Sequence, residues 1–424
     1  MSERIVVVGA SLAGLRGAEA IRLAGHAGPL TLVGDEPHAP YDRPSLSKHV
    51  IAGEFGAGAT TLPNLVALDA EWRLGQAAVG LDAVKREIVL SGGEQLEYDR
   101  LLITTGARAR SWHEPLEAAL TGVFTLRGRD DAEALRGALA RKPERVLIIG
   151  GGFIGCEAAS VCRDLGLAVT MVDPGPAPLA RILGISVSGF LRERMERAGV
   201  EIRPNAKVRS LTGEAGRVTG AILEDGAEVS AEIILVALGA IPNTDWLDGS
   251  GLAREKGALV CDSHCRVRDE SGFIHAEIRA AGDVAAFPHP LYDDGLTRLE
   301  HWGNAVAQGA YAGRALVKGD DGPAFSELPT FWSNQFGLTI KLAGLTKGAD
   351  SLAFVQGSLK DGRFIAAYGH EGRTIAALSF DCARWLPAYA AAIEARAPFP
   401  PITGAVDQLT RLGPIDPAWP VAQG

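Results

Sequence analysis

The chain has 424 residues, 47% hydrophobic and 22% charged, with a formal net charge of −9. That length asks for two or three domains of ordinary globular composition, and the acidic balance excludes wholesale binding to nucleic acid. The longest apolar run, Ile233 to Ile241, falls far short of the ~20 residues a spanning helix needs, so no membrane association is expected.

The first element is an apolar β-type run, Ile5–Val8, which follows Arg4 without a basic and apolar leader, so a cytoplasmic protein is expected. A tight turn comes next, Gly9-Ala10-Ser11-Leu12-Ala13-Gly14, then helical spacing, then a second β run, Leu30–Val33, closing at Asp35-Glu36. This is a βαβ unit of the kind that holds a dinucleotide pyrophosphate on a helix N-terminus. Gly9 permits the sharp turn, and Gly14 lets the helix lie close to the sheet. Ser11 stands where a glycine is usual, with a hydroxyl able to bond a phosphate oxygen, and Asp35 and Glu36 suit ribose hydroxyls.

Residues 145–173 repeat the pattern as RVLIIGGGFIGCEAASVCRDLGLAVTMVD. Here the fingerprint is complete, with Gly150, Gly152 and Gly155 in the three roles within Gly150-Gly151-Gly152-Phe153-Ile154-Gly155. The strand Ala168–Val172 ends at Asp173, whose carboxylate suits the 2′-OH of NAD and repels a 2′-phosphate, and no Arg follows immediately; NADH is expected over NADPH. Glu157 falls in the first turn of the intervening helix, where the dipole favours a carboxylate and where a nicotinamide would approach. Two such units in one chain imply two dinucleotides with electrons passing between them.

Five cysteines, at 156, 162, 261, 265 and 382, form no disulfide framework. Cys261 and Cys265 are closely spaced but lack the second pair of a zinc site; no metal is expected, and the thiols read as structural.

The segment Pro40-Tyr41-Asp42-Arg43-Pro44-Ser45-Leu46-Ser47-Lys48 resembles the Pro-Pro-Leu-Ser-Lys signature of the FAD-dependent NADH:ferredoxin reductases that serve oxygenases and cytochromes P450, of the putidaredoxin reductase and biphenyl dioxygenase reductase type. Other similar motifs follow in the family's order. Ile103-Thr104-Thr105-Gly106 and Leu235-Val236-Ala237-Leu238-Gly239 resemble its two interdomain crossings, and Ala281-Gly282-Asp283-Val284 its ribityl-binding motif. Glu300-His301-Trp302-Gly303-Asn304-Ala305 and Phe331-Trp332-Ser333-Asn334-Gln335-Phe336-Gly337 resemble the segments flanking the isoalloxazine. The likeness runs to about residue 345, and the tail from Pro398 has no clear counterpart. Ser11, Ser45, Asn334 and Phe336 depart from the usual residues.

The resemblance implies an α/β fold of glutathione-reductase type: two Rossmann-type dinucleotide-binding domains, for FAD and NAD, and a small α+β C-terminal domain. The FAD domain would comprise 1–111 and 243–318, the NAD domain 112–242 and the C-terminal domain 319–424. In the last, β runs at 339–343, 351–356, 364–368 and 375–379 suggest a small antiparallel sheet covered by a helix in 382–396. By the same resemblance, Ala13, Asp35, Arg43, Lys48, Ala78, Arg127, Asp283 and Trp302 would contact FAD, with Thr105, Gly106, Gly282 and His301 beside them. Gly152, Phe153, Ile154, Glu157, Asp173 and Gly239 would line the NADH site. Lys48, Glu157 and Trp332 would act at the flavin, Lys48 and Glu157 as an ion pair.

The implied activity is hydride uptake from NADH and single-electron delivery to a ferredoxin-type iron–sulfur protein feeding a cytochrome P450 or oxygenase. A rubredoxin reductase and a redox-sensing flavoprotein of the apoptosis-inducing-factor type are alternatives. Disulfide-reductase chemistry needs a Cys pair in the first domain, and no Cys precedes Cys156. Lys341, Lys347, Lys360, Arg363 and Arg373 are candidates for docking an acidic partner, and the chain is expected to be a monomer or weak homodimer.

Overall fold

Ile5, Val6, Val7 and Val8 are all buried, the mark of a parallel strand covered on both faces. In the computed structural model, which describes residues 2–292, 295–405, 407–409 and 412–420, this strand is central to a six-stranded sheet. Its order is Arg266–Arg268, Ile274–Ala280, Arg100–Ile103, Ile5–Val8, Leu30–Gly34, Glu71–Leu74. All neighbours run parallel except the first pair. The sheet thus combines strands from the beginning of the chain with strands beyond residue 265.

A second sheet is entirely parallel, in the order Val200–Arg203, Ala168–Val172, Arg145–Ile149, Ile233–Val236, Val123–Phe124. The third is antiparallel and five-stranded: Thr330–Gln335, Leu338–Gly344, Arg373–Phe380, Arg363–His370, Ser351–Ser358. A helix, Leu386–Glu394, packs on its Arg373–Phe380 strand. The mixed α/β fold with two Rossmann-type sheets and a separate antiparallel C-terminal sheet is the one the sequence implied. The strand Thr330–Gln335 was not anticipated, and the last helix is shorter than 382–396, because residues 383–385 form a tight 3₁₀ turn ahead of it.

By spatial contact the chain divides into two units. One is Met1–Asp42, Thr61–Arg108 and Ile241–Thr330; the other is Arg43–Thr60, Ala109–Ala240 and Phe331–Gly424. Within the first unit, the helix Leu12–Leu23 lies against the helix Trp302–Lys318 at glycine contacts. A Cβ on Gly309 would sit 2.4 Å from the Ala13 carbonyl oxygen, and one on Gly313 2.3 Å from that of Gly17. Within the second, residues 43–60 dock on the helix Arg129–Leu139: Arg129 Nε donates to Thr60 Oγ1 (3.2 Å) and Ala57 N donates to Glu133 Oε1 (2.6 Å).

Among the described residues no helix is long and apolar enough to cross a membrane, and no three His, Cys, Asp or Glu side chains gather as metal ligands.

Candidate active site

Both glycine turns have the stereochemistry their sequences demand. Gly150 has φ +109°, and a Cβ there would lie 2.4 Å from the Ala237 carbonyl oxygen. A Cβ on Gly155 would lie 2.1 Å from the oxygen of Gly150, so only glycine lets the helix Phe153–Asp164 start this close to the strand. Gly152 is different: its φ is −76° and nothing approaches within 4 Å of its Cβ position. It opens a space at the helix N-terminus, where the first amides have no carbonyl within the helix. Those are the features a pyrophosphate needs. The first turn repeats the tight entry into its helix, with Gly9 at φ +116° and a Cβ on Gly14 falling 2.0 Å from the Gly9 oxygen. Ser11 occupies the position just before that helix.

The acids closing the two units behave differently. Asp35 is exposed, and its Oδ1 accepts from Glu36 N (3.0 Å); Glu36 Oε2 accepts from Tyr41 Oη. Asp173 holds the second turn itself: Oδ2 accepts from Gly151 N (2.6 Å) and Oδ1 from Gly175 N (2.7 Å). Gly282 N donates to Gln308 Oε1 (2.8 Å), which fixes the backbone beside Asp283. His301 precedes the helix Trp302–Lys318; burial pushes its imidazole below the ordinary value, opposed by the Asp283 charge. Trp302 Nε1 donates to Asp42 Oδ1 (3.0 Å). Thr105 and Gly106 are tied to Asn243: Thr105 Oγ1 donates to its carbonyl (2.7 Å), and Asn243 N donates to Gly106 O (3.0 Å). Ala13 is buried in its helix and Ala78 half-buried at the start of the strand Ala78–Asp82.

The charged centre belongs to the second unit. Arg43–Ser45 form a tight 3₁₀ turn that leads into a π-type turn, Leu46–Val50, a geometry common at functional positions. The turn aims Ser47 and Lys48 at the helix Phe153–Asp164. Lys48 Nζ lies 2.7 Å from Glu157 Oε2, and Ser47 Oγ donates to the same oxygen at 2.5 Å. Glu157 Oε1 accepts from Ser333 Oγ (2.6 Å), whose oxygen accepts from Gln335 Nε2 (3.0 Å). The side chains of Lys48 and Glu157 are 13% and 4% exposed, so the expected ion pair is present and nearly dry. One expectation is corrected: Glu157 is the fifth residue of its helix, not part of its first turn, and three donor groups hold it rather than the helix dipole.

The strand bearing Ser333 is fastened to the same helix. The Phe153 and Phe331 rings lie 4.0 Å apart between centroids, and Phe336 N donates to Ser160 Oγ (2.7 Å). Trp332 on this strand is half-buried. Ile154 is 39% exposed, an apolar side chain presented beside the open glycine turn. Gly239 is exposed, and its carbonyl accepts from Arg110 N (2.9 Å). Arg43 Nη1 donates to the Arg127 carbonyl (3.0 Å), and Arg127 N donates to Asp131 Oδ2 (2.8 Å). Sequence reasoning overlooked Ser47, Ser333, Gln335 and Ser160. The alternation in Trp332-Ser333-Asn334-Gln335 was the available signal, since period two puts Ser333 and Gln335 on one face.

Four of the five thiols are buried and Cys382 is half-buried. Cys156, Cys162, Cys261 and Cys265 are buried, and burial pushes their thiols up, to about 12 for Cys162 and Cys265. Of the docking candidates, Lys341, Lys347, Lys360 and Arg363 are exposed and Arg373 half-buried.

Comparison with known proteins agrees with this geometry. The pyridine nucleotide-disulphide oxidoreductase family model matches residues 3–309, and the reductase C-terminal model matches residues 330–413. The chain is 36% identical over 366 residues to the biphenyl dioxygenase system ferredoxin–NAD(+) reductase component of Paraburkholderia xenovorans (strain LB400), covering 86% of each. It is 34% identical over 411 residues to the ferredoxin reductase component of chlorobenzene dioxygenase from Cupriavidus sp. (strain PS12), covering 95% of each. Among solved structures, the covalent putidaredoxin reductase–putidaredoxin complex aligns with TM-score 0.86 and 30% identity over 93% of this chain and 94% of that one. The likeness therefore reaches well past residue 345 and into the tail beyond Pro398.

Proposed function

We propose that this chain, which belongs to the pyridine nucleotide-disulphide oxidoreductase family, is an FAD-dependent reductase that takes hydride from NADH and delivers electrons one at a time to a ferredoxin-type iron–sulfur protein. The observation that carries this reading is the pairing of an open glycine cradle at Gly152 with a desolvated Lys48–Glu157 pair held by the helix that begins there. Relatives named as ferredoxin reductases of dioxygenase systems support ferredoxin as the class of acceptor, and an oxygenase as its destination.

Bound FAD supplies the conversion of a two-electron donor into a one-electron source. The chain supplies binding and orientation. Gly9, Ser11, Ala13 and Gly14 form the flavin nucleotide's phosphate turn, Asp35 and Glu36 its ribose acceptors, and Gly282 and Asp283 the ribityl contact. Thr105, Gly106, Arg43, Arg127, Ala78, His301 and Trp302 complete that set. Gly150, Gly152 and Gly155 form the NADH turn, flanked by Phe153, Ile154 and Gly239. Lys48 and Glu157 orient the nicotinamide, and Trp332 borders the reacting edge. The FAD domain on this reading comprises 1–111 and 243–318, the NAD domain 112–242 and the C-terminal domain 319–424.

Asp173 decides the donor. Both of its oxygens already meet a backbone amide, which leaves lone pairs for ribose hydroxyls and charge to repel a 2′-phosphate. With ferricyanide or a [2Fe–2S] ferredoxin as acceptor, kcat/KM for NADH should exceed that for NADPH by at least about tenfold. A purified protein that carries no flavin, or uses both donors equally, refutes the assignment.

A further inference from the structure

The strand Thr330–Gln335 reaches the Lys48–Glu157 pair through alternate residues. Ser333 and Gln335 are 0% and 3% exposed, while Asn334 between them is exposed. A hydroxyl has a single hydrogen. Gln335 Nε2 can only donate, and it points at Ser333 Oγ, so the serine hydrogen is left for Glu157 Oε1. Reversing the Gln335 amide would set its oxygen against Ser333 and draw that hydrogen away from Glu157. The orientation that serves Glu157 has a cost: Gln335 Oε1 is buried with no hydrogen-bond partner among the described residues.

On the other oxygen, Ser47 and Lys48 both bind Oε2. The terminal torsion of a glutamate is broad, and a half-turn only exchanges two equivalent oxygens, so the tilt of the carboxylate is set by its partners. Ser333 on Oε1 completes that setting from the second oxygen. We infer that Ser333 and Gln335 are positioning residues for hydride transfer: from the C-terminal segment they lock the rotation of the Glu157 carboxylate and so place the Lys48 ammonium. This rests on the NADH reading above, and adds that the segment matched by the reductase C-terminal model shapes the donor half of the reaction.

The test uses the FAD-loaded full chain in anaerobic stopped-flow. Ser333→Ala should lower the limiting rate of flavin reduction by NADH about 10- to 100-fold, while the Kd for NADH, set mainly by its adenosine half, stays near the parental value. Ser333→Thr, which keeps the hydroxyl, should recover most of the rate, and Gln335→Met, which frees that hydroxyl to turn away, should lose part of it. On a Glu157→Gln background Ser333→Ala should add less than about twofold, because the carboxylate it orients is gone. A crystal structure of Ser333→Ala should show Lys48 Nζ beyond about 4 Å from both Glu157 oxygens. A parental limiting rate in Ser333→Ala, or an equal loss on both backgrounds, overturns the inference. If Ser333→Ala does not fold, a parental rate in Gln335→Met does so. Failure of NADH to reduce the unmodified protein would instead refute the functional reading, and the crystal structure would still decide whether the tether sets the pair.

Discussion

Replacing Glu157 by Ala removes the acceptor of three groups at once. Lys48, with its side chain 13% exposed, loses its carboxylate and keeps the Pro44 carbonyl at 3.2 Å. Breaking a buried pair from one side costs ~3–5 kcal/mol, and the remaining carbonyl and slight solvent access place this case near ~3. Ser333 loses a hydrogen bond worth ~1 kcal/mol, while the Ser47 hydroxyl can turn to Pro44 O, now 3.4 Å away, and offset most of its loss. A total of about 4 kcal/mol corresponds to a drop in Tm of roughly 8–16 °C for a cooperative unit of 150–250 residues. The Lys48→Met/Glu157→Met double variant buries no charge and should recover all but about 1–2 kcal/mol of the loss. Thermal and urea melts followed by circular dichroism, on FAD-loaded and FAD-free protein, measure both. Flavin content should stay stoichiometric in Glu157→Ala, with hydride transfer slowed. A single variant melting within about 3 °C of the parent, or a double variant no better than the single, would refute the claim that the pair is desolvated and mutually dependent.

The two glycines of the second turn should separate fold from binding: Gly155→Ala, whose Cβ would meet the Gly150 oxygen at 2.1 Å, should not yield soluble protein, while Gly152→Ala should melt like the parent and bind NADH at least about tenfold more weakly in fluorescence titration. A thiol reagent should label at most one cysteine, Cys382, in the native protein and all five in denaturant, and converting all five to Ser or Ala in a protein that still folds should leave NADH-to-ferricyanide turnover within a few-fold. His289 is buried, its Nδ1 accepts from Leu291 N (3.3 Å) and its Nε2 meets the Glu327 carbonyl (2.9 Å), and burial holds its imidazole below the ordinary ~6.5. A depressed imidazole gives stability that is complete above the unfolded value and lost as pH falls through the folded one, so Tm should decline below about pH 6.5, and His289→Gln should flatten that decline.

What could be read from the chain alone was whatever local stereochemistry imposes. A tight strand-to-helix turn needs glycine at Gly150 and Gly155 wherever it occurs, and that spacing marks both units in the sequence itself. The Lys48–Glu157 pair was legible for a different reason: each half sat at a fixed offset within a recognisable motif. Ser333 and Gln335 were not, because their role depends on which face of a six-residue strand meets a helix more than 170 positions earlier. Asp173 shows the limit from the other side. Its place at a strand end indicated a ribose acceptor, while its bonds to Gly151 and Gly175, which hold the turn in shape, follow only from the backbone path around it.

The six-stranded sheet has a consequence for how the chain is made. Arg100–Ile103 pairs on one side with Ile5–Val8 and on the other with Ile274–Ala280. At ~5–20 residues per second on a ribosome, Leu101 emerges roughly 10–35 s before its partner Ile278, about 175 residues later. Throughout that interval an apolar parallel edge stands open to any passing strand. Residues 145–236, by contrast, carry four of the five strands of the second sheet within one uninterrupted stretch of nascent chain. On the proposed reading the NADH half can therefore close first, while the flavin half keeps an unpaired edge until its late strand arrives.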